Sequence, residues 1–209
     1  MRRAELVRLL QRVPAFPDPR ADLEQVATPA EAAATLLALA DRHDSLRGRS
    51  VDDLGCGTGR LALGAAALGA APVLGVDVDL GAVEVARTAA AGAGLEVRFE
   101  VGPVGSVRTA ADVVVMNPPF GAQRRHADRP FWDAAFRLAR RSVYAFSLAA
   151  SRTFIARRAV AHGAHVLELV PVPWVLDRTF PHHSRRRVSL DVDLWAIRTG
   201  GGDNGPGAA

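Results

Sequence analysis

Ser50-Val51-Asp52-Asp53-Leu54-Gly55-Cys56-Gly57-Thr58-Gly59-Arg60 decides the fold. A short apolar run passes through two acids into three closely spaced glycines, and a helical pattern starts at Arg60. Glycines there allow a tight strand-to-helix turn and let a ligand approach the backbone closely. The next apolar run ends Gly75-Val76-Asp77-Val78-Asp79. An acid at the end of the second strand of a doubly wound sheet can accept hydrogen bonds from ribose hydroxyls. The expected ligand-binding set is therefore Asp53, Gly55, Cys56, Gly57, Gly59, Asp77 and Val78. Asp53 is placed to meet a positively charged end of that ligand. The alternative, in which Asp77 and Asp79 only cap the following helix, is natural for Asp79 and less so for Asp77.

Outward from this loop, apolar runs alternate with helical stretches. Strands are expected at 50–54, 72–76, 95–101, 112–116, 143–147, 165–172 and 188–197, and helices at 60–68, 80–91, 131–140 and 151–162. Such alternation argues for an α/β chain with a mostly parallel, doubly wound sheet. The last two runs have no helix between them and should form an antiparallel hairpin. Upstream, Leu6, Val7, Leu9, Leu10 and Val13 have helical spacing, and Pro14, Pro17 and Pro19 impose an extended connector. Thr28-Pro29-Ala30-Glu31 reads as a helix start, with Thr28 as the cap and a helix to about His43. The Gly-rich end, 199–209, reads as a disordered tail behind one domain spanning 1–198.

The 209 residues are 49% hydrophobic, enough for one sizeable core. No run approaches the roughly 18 apolar residues of a membrane span, and the N-terminus lacks the apolar core of a signal peptide. A single cysteine excludes an internal disulfide framework. A cytoplasmic protein is expected. All 26 basic residues are arginine. Net charge is +1 over residues 1–49, −4 over 50–120 and +7 over 121–209. An acidic middle suits a small, partly cationic ligand, and a basic last portion suits a polyanion. Coding bias, with arginines as solvated faces, accounts for the same composition.

The whole loop from Asp53 to Gly59, taken with Asp77, resembles the cofactor motif of the class I S-adenosylmethionine methyltransferases. The resemblance implies a Rossmann-like, seven-stranded, mostly parallel sheet with an antiparallel last strand and helices on both faces. It also implies that Asp53 and the glycines adjoin the methionine part of the cofactor, with Asp77 on the ribose. An acid is frequent after the third strand of that family, where this chain has Val101-Gly102-Pro103-Val104.

Asn117-Pro118-Pro119-Phe120 follows the fourth expected strand. Two prolines hold the backbone extended and remove two donors. The Asn117 side-chain oxygen and the Pro118 carbonyl can then accept from one exocyclic amino group. Such a nitrogen is a poor nucleophile because its lone pair is delocalised. Gripping its protons frees the lone pair for in-line attack on a sulfonium methyl, which is positioning and electrostatic preorganisation. Phe120 offers a face on which a planar target can stack. The tetrapeptide resembles the motif of amino-group methyltransferases acting on adenine N6, cytosine N4, guanine N2 and the glutamine amide.

Leu23-Glu24-Gln25 with Thr28, Met116 to Gly121, Ser142-Val143-Tyr144 and Ser189 to Leu194 are similar to one subgroup. This is the methyltransferase-like protein five family, adenosine-N6 methyltransferases of small-subunit ribosomal RNA. The resemblance implies that Gln25 and Thr28 lie over the cofactor, although Val26-Ala27 replaces the usual aromatic and proline between them. It also implies an RNA substrate and a small zinc-binding activator subunit. Arg124 and Arg125, then Phe180, His183, Arg185, Arg186 and Arg187, are expected along the RNA path, with Phe180 near the target base. An exposed hairpin with solvated charge is the plainer reading of the second group. His182-His183 lacks convergent partners, so no metal site is expected. Cys56 is too enclosed by glycines to serve as a nucleophile, and Trp132, Trp174 and Trp195 read as core. Two other functions stay open: methylation of guanine N2 or of a glutamine in a translation factor, and non-catalytic RNA binding.

Overall fold

Val113, Val114, Val115 and Met116 have no exposed surface at all. A run buried on both faces belongs at the centre of a mostly parallel sheet covered by helices on either side. The computed structural model describes residues 1–121, 123–177 and 187–200, with backbone alone at 175–177 and 187–188. In chain order its elements are α1 (Arg3–Arg12), α2 (Ala30–Asp44), β1 (Val51–Leu54), α3 (Arg60–Ala67), β2 (Val73–Asp77), α4 (Leu80–Ala93) and β3 (Arg98–Val101). Then come β4 (Ala111–Met116), α5 (Arg129–Leu138), β5 (Ala139–Leu148), α6 (Arg152–Ala161), β6 (His165–Asp177) and β7 (Arg187–Arg198).

The seven strands lie in the order β3-β2-β1-β4-β5-β7-β6, and β7 is antiparallel to both neighbours. This is the expected class I sheet. Alternation along each strand divides the core. Val113, Val115, Tyr144 and Phe146 face one cluster with Leu10, Leu37, Leu63 and Val83 of α1–α4. Val114, Met116, Val143 and Ala145 face the other with Trp132 and Phe136 of α5 and Ile155 of α6. Trp132 stacks on Phe136 at 5.8 Å and meets Trp195 edge-on at 6.5 Å. All three tryptophans are buried, as the apolar patterns around them suggest.

Register places the site. Leu54 pairs with Val76 on one side and Met116 on the other. The glycine loop and the Asn-Pro-Pro-Phe segment therefore leave adjacent strands at one level, at the carboxyl edge where the strand order reverses.

Four local expectations change. Thr28 does not cap α2: Pro29 holds the cap position without a side-chain bond, because the Thr28 hydroxyl accepts from Asn117. Arg140 belongs to β5, since Ala139 is already extended and pairs with Ala111. β6 continues through Pro171 and Pro173 to Asp177, which an edge strand tolerates. Thr199, read as the start of the tail, is buried, and its N–H donates to the Arg141 carbonyl at 2.9 Å. Residues 201–209 lie outside the described residues. None of the described helices is long and apolar enough to cross a membrane.

Candidate active site

Gly55, Gly57 and Gly59 all take positive φ, at 72°, 51° and 88°. Side chains are strained there, and all three positions are also crowded. A Cβ on Gly55 would lie 2.7 Å from the Phe131 ring, and one on Gly57 would lie 2.6 Å from Phe16. The two rings flank the loop and line the cavity beside it. The Asp77 carboxylate ties this loop to the end of β2, accepting from the Gly57 N–H at 2.8 Å and the Asp79 N–H at 3.0 Å. Each oxygen keeps a lone pair for a ligand hydroxyl. Burial raises the Asp77 carboxyl pKa, against the pull of those two backbone donors.

Asp53 is 1% exposed. One oxygen accepts the Ala62 N–H in the first turn of α3 at 2.9 Å, and the other has no partner. Burial pushes this carboxyl up to about 8. An orphaned buried carboxylate oxygen in a cavity wall is a place where a cationic ligand group would be favoured. Burial likewise pushes the Cys56 thiol up, which leaves it a poor nucleophile.

Residues 13–28 form a strap across this loop. Arg60, half-buried in α3, donates to the carbonyls of Val13 at 2.8 Å and Thr28, and Thr58 Oγ1 donates to the Pro14 carbonyl at 2.8 Å. Gln25 Nε2 donates to Asp79 at 2.6 Å. That bond, more than any other cause, holds the Asp79 carboxyl below its usual range. The second Asp79 oxygen caps α4 through Gly81 and Ala82.

The strap also reaches the tetrapeptide. Asn117 Nδ2 donates to Thr28 Oγ1 at 3.0 Å, while Asn117 Oδ1 is buried without a partner. Phe120 meets Trp174 edge-on at 5.8 Å, and Trp174 meets Phe146 at 5.0 Å. Thr28, Asn117, Phe120 and Trp174 line one cavity of about 620 Å³ together with Asp53, Gly55 and Asp77. Its size suits a drug-sized organic ligand. Its two orphaned oxygens, one acidic and one amide, fit a ligand with a cationic end beside a target with an amino group.

A family model described as the methyltransferase small domain matches residues 30–143. The chain belongs to this methyltransferase family. The rRNA N(6)-adenosine-methyltransferase Mettl5 of Drosophila melanogaster is 31% identical to it over 94% of this chain and 96% of its own length. METTL5 of Danio rerio, described in the same words, is 30% identical over 93% of this chain and 97% of its own. Among solved structures, a proposed RNA methyltransferase from Pyrococcus horikoshii is similar with a TM-score of 0.88 and 36% identity. That match covers 95% of this chain and 98% of the other.

In this methyltransferase the cavity gathers nearly every site residue expected upstream of residue 178. Gln25, Thr28, Asp53, Gly55, Cys56, Gly57, Asp77, Val78 and Asn117 to Phe120 all line it, as do Arg124 and Arg125. Gly59 does not. It starts α3, where a Cβ would meet Ala86 at 2.9 Å and Phe99 at 3.0 Å. Phe180, His183, Arg185 and Arg186 lie outside the described residues, as does the Arg187 side chain at the start of β7. Sequence reasoning missed Phe16, Arg60, Phe131 and Trp174 in the site. Phe16 among prolines and Phe131 after Pro130 gave no periodic signal; Trp174 gave one, but as core.

Proposed function

We propose that the chain transfers a methyl group from S-adenosylmethionine to the exocyclic N6 of an adenosine in RNA, with small-subunit ribosomal RNA as the substrate. The carrying observation is the Asn117 carboxamide: its nitrogen is committed to Thr28 while its buried oxygen keeps an open acceptor position in the cavity wall. An amino group carries two protons to be gripped, and the Pro118 carbonyl is the second acceptor. Phe120, braced by Trp174, stacks on the target base, which must leave its helix or come from a single strand.

S-adenosylmethionine supplies an electrophilic methyl group on a sulfonium. Asp53 receives its cationic end, Asp77 its ribose, and the strap residues Gln25 and Thr28 cover it, with Gly55 and Gly57 at the methionine part. Between the acceptors and the glycine loop, nitrogen and methyl are held for in-line transfer, and proximity with fixed dipoles lowers the barrier. Arg124 and Arg125 at the rim meet phosphates. The similarity to the Drosophila and Danio enzymes over nearly the full chain favours adenosine in ribosomal RNA.

The test is Asn117→Ala assayed for both transfer and binding. Methylation of unmodified small-subunit RNA should fall by at least about 10²-fold, while S-adenosylhomocysteine still binds by calorimetry. Undiminished turnover would overturn the mechanism.

A further inference from the structure

The loop after the tetrapeptide is exposed from Gln123 to His126 and packs little apolar surface of its own. Loops with few buried contacts open readily unless something holds them. Here a carboxylate about a hundred residues upstream does so. Glu24 Oε2 accepts the Gly121 N–H at 2.9 Å, and Oε1 accepts the N–H groups of Gln123 at 2.8 Å and Arg124 at 3.4 Å. Successive backbone donors converging on one anion form a nest, and charge-assisted bonds are the strong ones. Gly121 takes φ +80°, which turns the chain so that these donors converge. Glu24 itself sits at φ 53°, just after the turn at Ala21–Leu23, and its N–H is held by the Ala21 carbonyl at 3.0 Å. A non-glycine residue in that region is uncommon and points to an imposed geometry.

The neighbours of Glu24 give the clamp its meaning. The adjacent Gln25 grips Asp79 beyond β2, and Thr28 holds the Asn117 amide. One short piece of strap thus touches the segment after β2, the Asn117 amide and the rim that carries Arg124 and Arg125. We infer that Glu24 is a positioning residue for methyl transfer: its carboxylate fixes Gly121, Gln123 and Arg124 so that the tetrapeptide and the rim arginines meet RNA in one arrangement. This inference rests on the RNA methyltransferase reading above. It requires two acceptor oxygens. A glutamine of the same shape has one, and its NH2 would face a backbone donor.

The experiment compares wild type with Glu24→Gln in three measurements on the full chain. Amide exchange at Gly121, Gln123 and Arg124 should quicken by about tenfold or more, with Val113 to Met116 unchanged. The kcat/KM for RNA should fall by about ten- to a hundredfold, the cost of a small misplacement. Affinity for S-adenosylhomocysteine should stay within about twofold. Exchange and turnover like wild type would overturn the clamp. So would a loss of turnover matched by an equal loss of S-adenosylhomocysteine affinity, which would place Glu24 in the cofactor cover instead. A wild type that methylates no RNA would remove the reading beneath it, whereas an active wild type with an indifferent Glu24→Gln removes the clamp alone.

Discussion

Thr28 and Asn117 share one hydrogen bond that decides which end of the carboxamide meets the target. Without the hydroxyl, the amide can turn its NH2 toward an amino group that needs acceptors. Thr28→Val keeps the shape and removes the bond. Steady-state kinetics should show kcat lower by about ten- to a hundredfold, with most of it returned by Thr28→Ser; a fully active Thr28→Val would contradict this. Asp53 carries a pH signature. Burial sets its folded pKa at about 8, against about 3.9 in an unfolded chain. Across that window the folded protein holds a proton that the unfolded chain has lost, so stability falls as pH rises from about 4 to about 8. Asp53→Asn cannot ionise. Its unfolding free energy should gain on wild type steadily through that window, and parallel curves would refute the assignment. At this scale the tetrapeptide and the acids were legible because their chemistry is local. Thr28 was misread as a cap because a hydroxyl serves either partner, and only the fold brings residue 117 to it. Glu24 stood in the Leu23-Glu24-Gln25 segment that carries the family resemblance but without a role, since its partners lie in a loop about a hundred residues away.

The strap, residues 13–28, is the element on which the site depends. Its prolines announced an extended connector but not its path, which Thr58 of the glycine loop and Arg60 at the start of α3 set through bonds to its carbonyls. Arg60 holds two carbonyls at once, and burial lowers its own pKa. Removing it frees both carbonyls from a charged donor, each such bond contributing about 1.5–3 kcal/mol. Arg60→Ala should therefore lower the unfolding free energy by about 3–6 kcal/mol in urea, and an unchanged midpoint would show that the strap is held elsewhere. The strands were legible from their apolar runs, and their ends were not. Gly94 takes φ 63° at the end of α4 and delays β3 to Arg98, whereas Ala139 starts β5 without a loop.

Across the whole molecule, strand order brings two sequence-distant loops to one edge. Leu54 stands between Val76 and Met116, so the glycine loop with Asp53 and Asp77 and the Asn-Pro-Pro-Phe segment face one cavity. That convergence is why a loop and a tetrapeptide were enough to read the fold class. Two acids of the acidic 50–120 segment, Asp53 and Asp77, and two arginines of the basic 121–209 segment, Arg124 and Arg125, line this cavity. The most direct test of the account is nucleoside mass spectrometry of unmodified small-subunit RNA incubated with the protein and methyl-labelled S-adenosylmethionine. The account predicts label in N6-methyladenosine, lost with Asn117→Ala. Label in another nucleoside, or label in adenosine that survives Asn117→Ala, would contradict it.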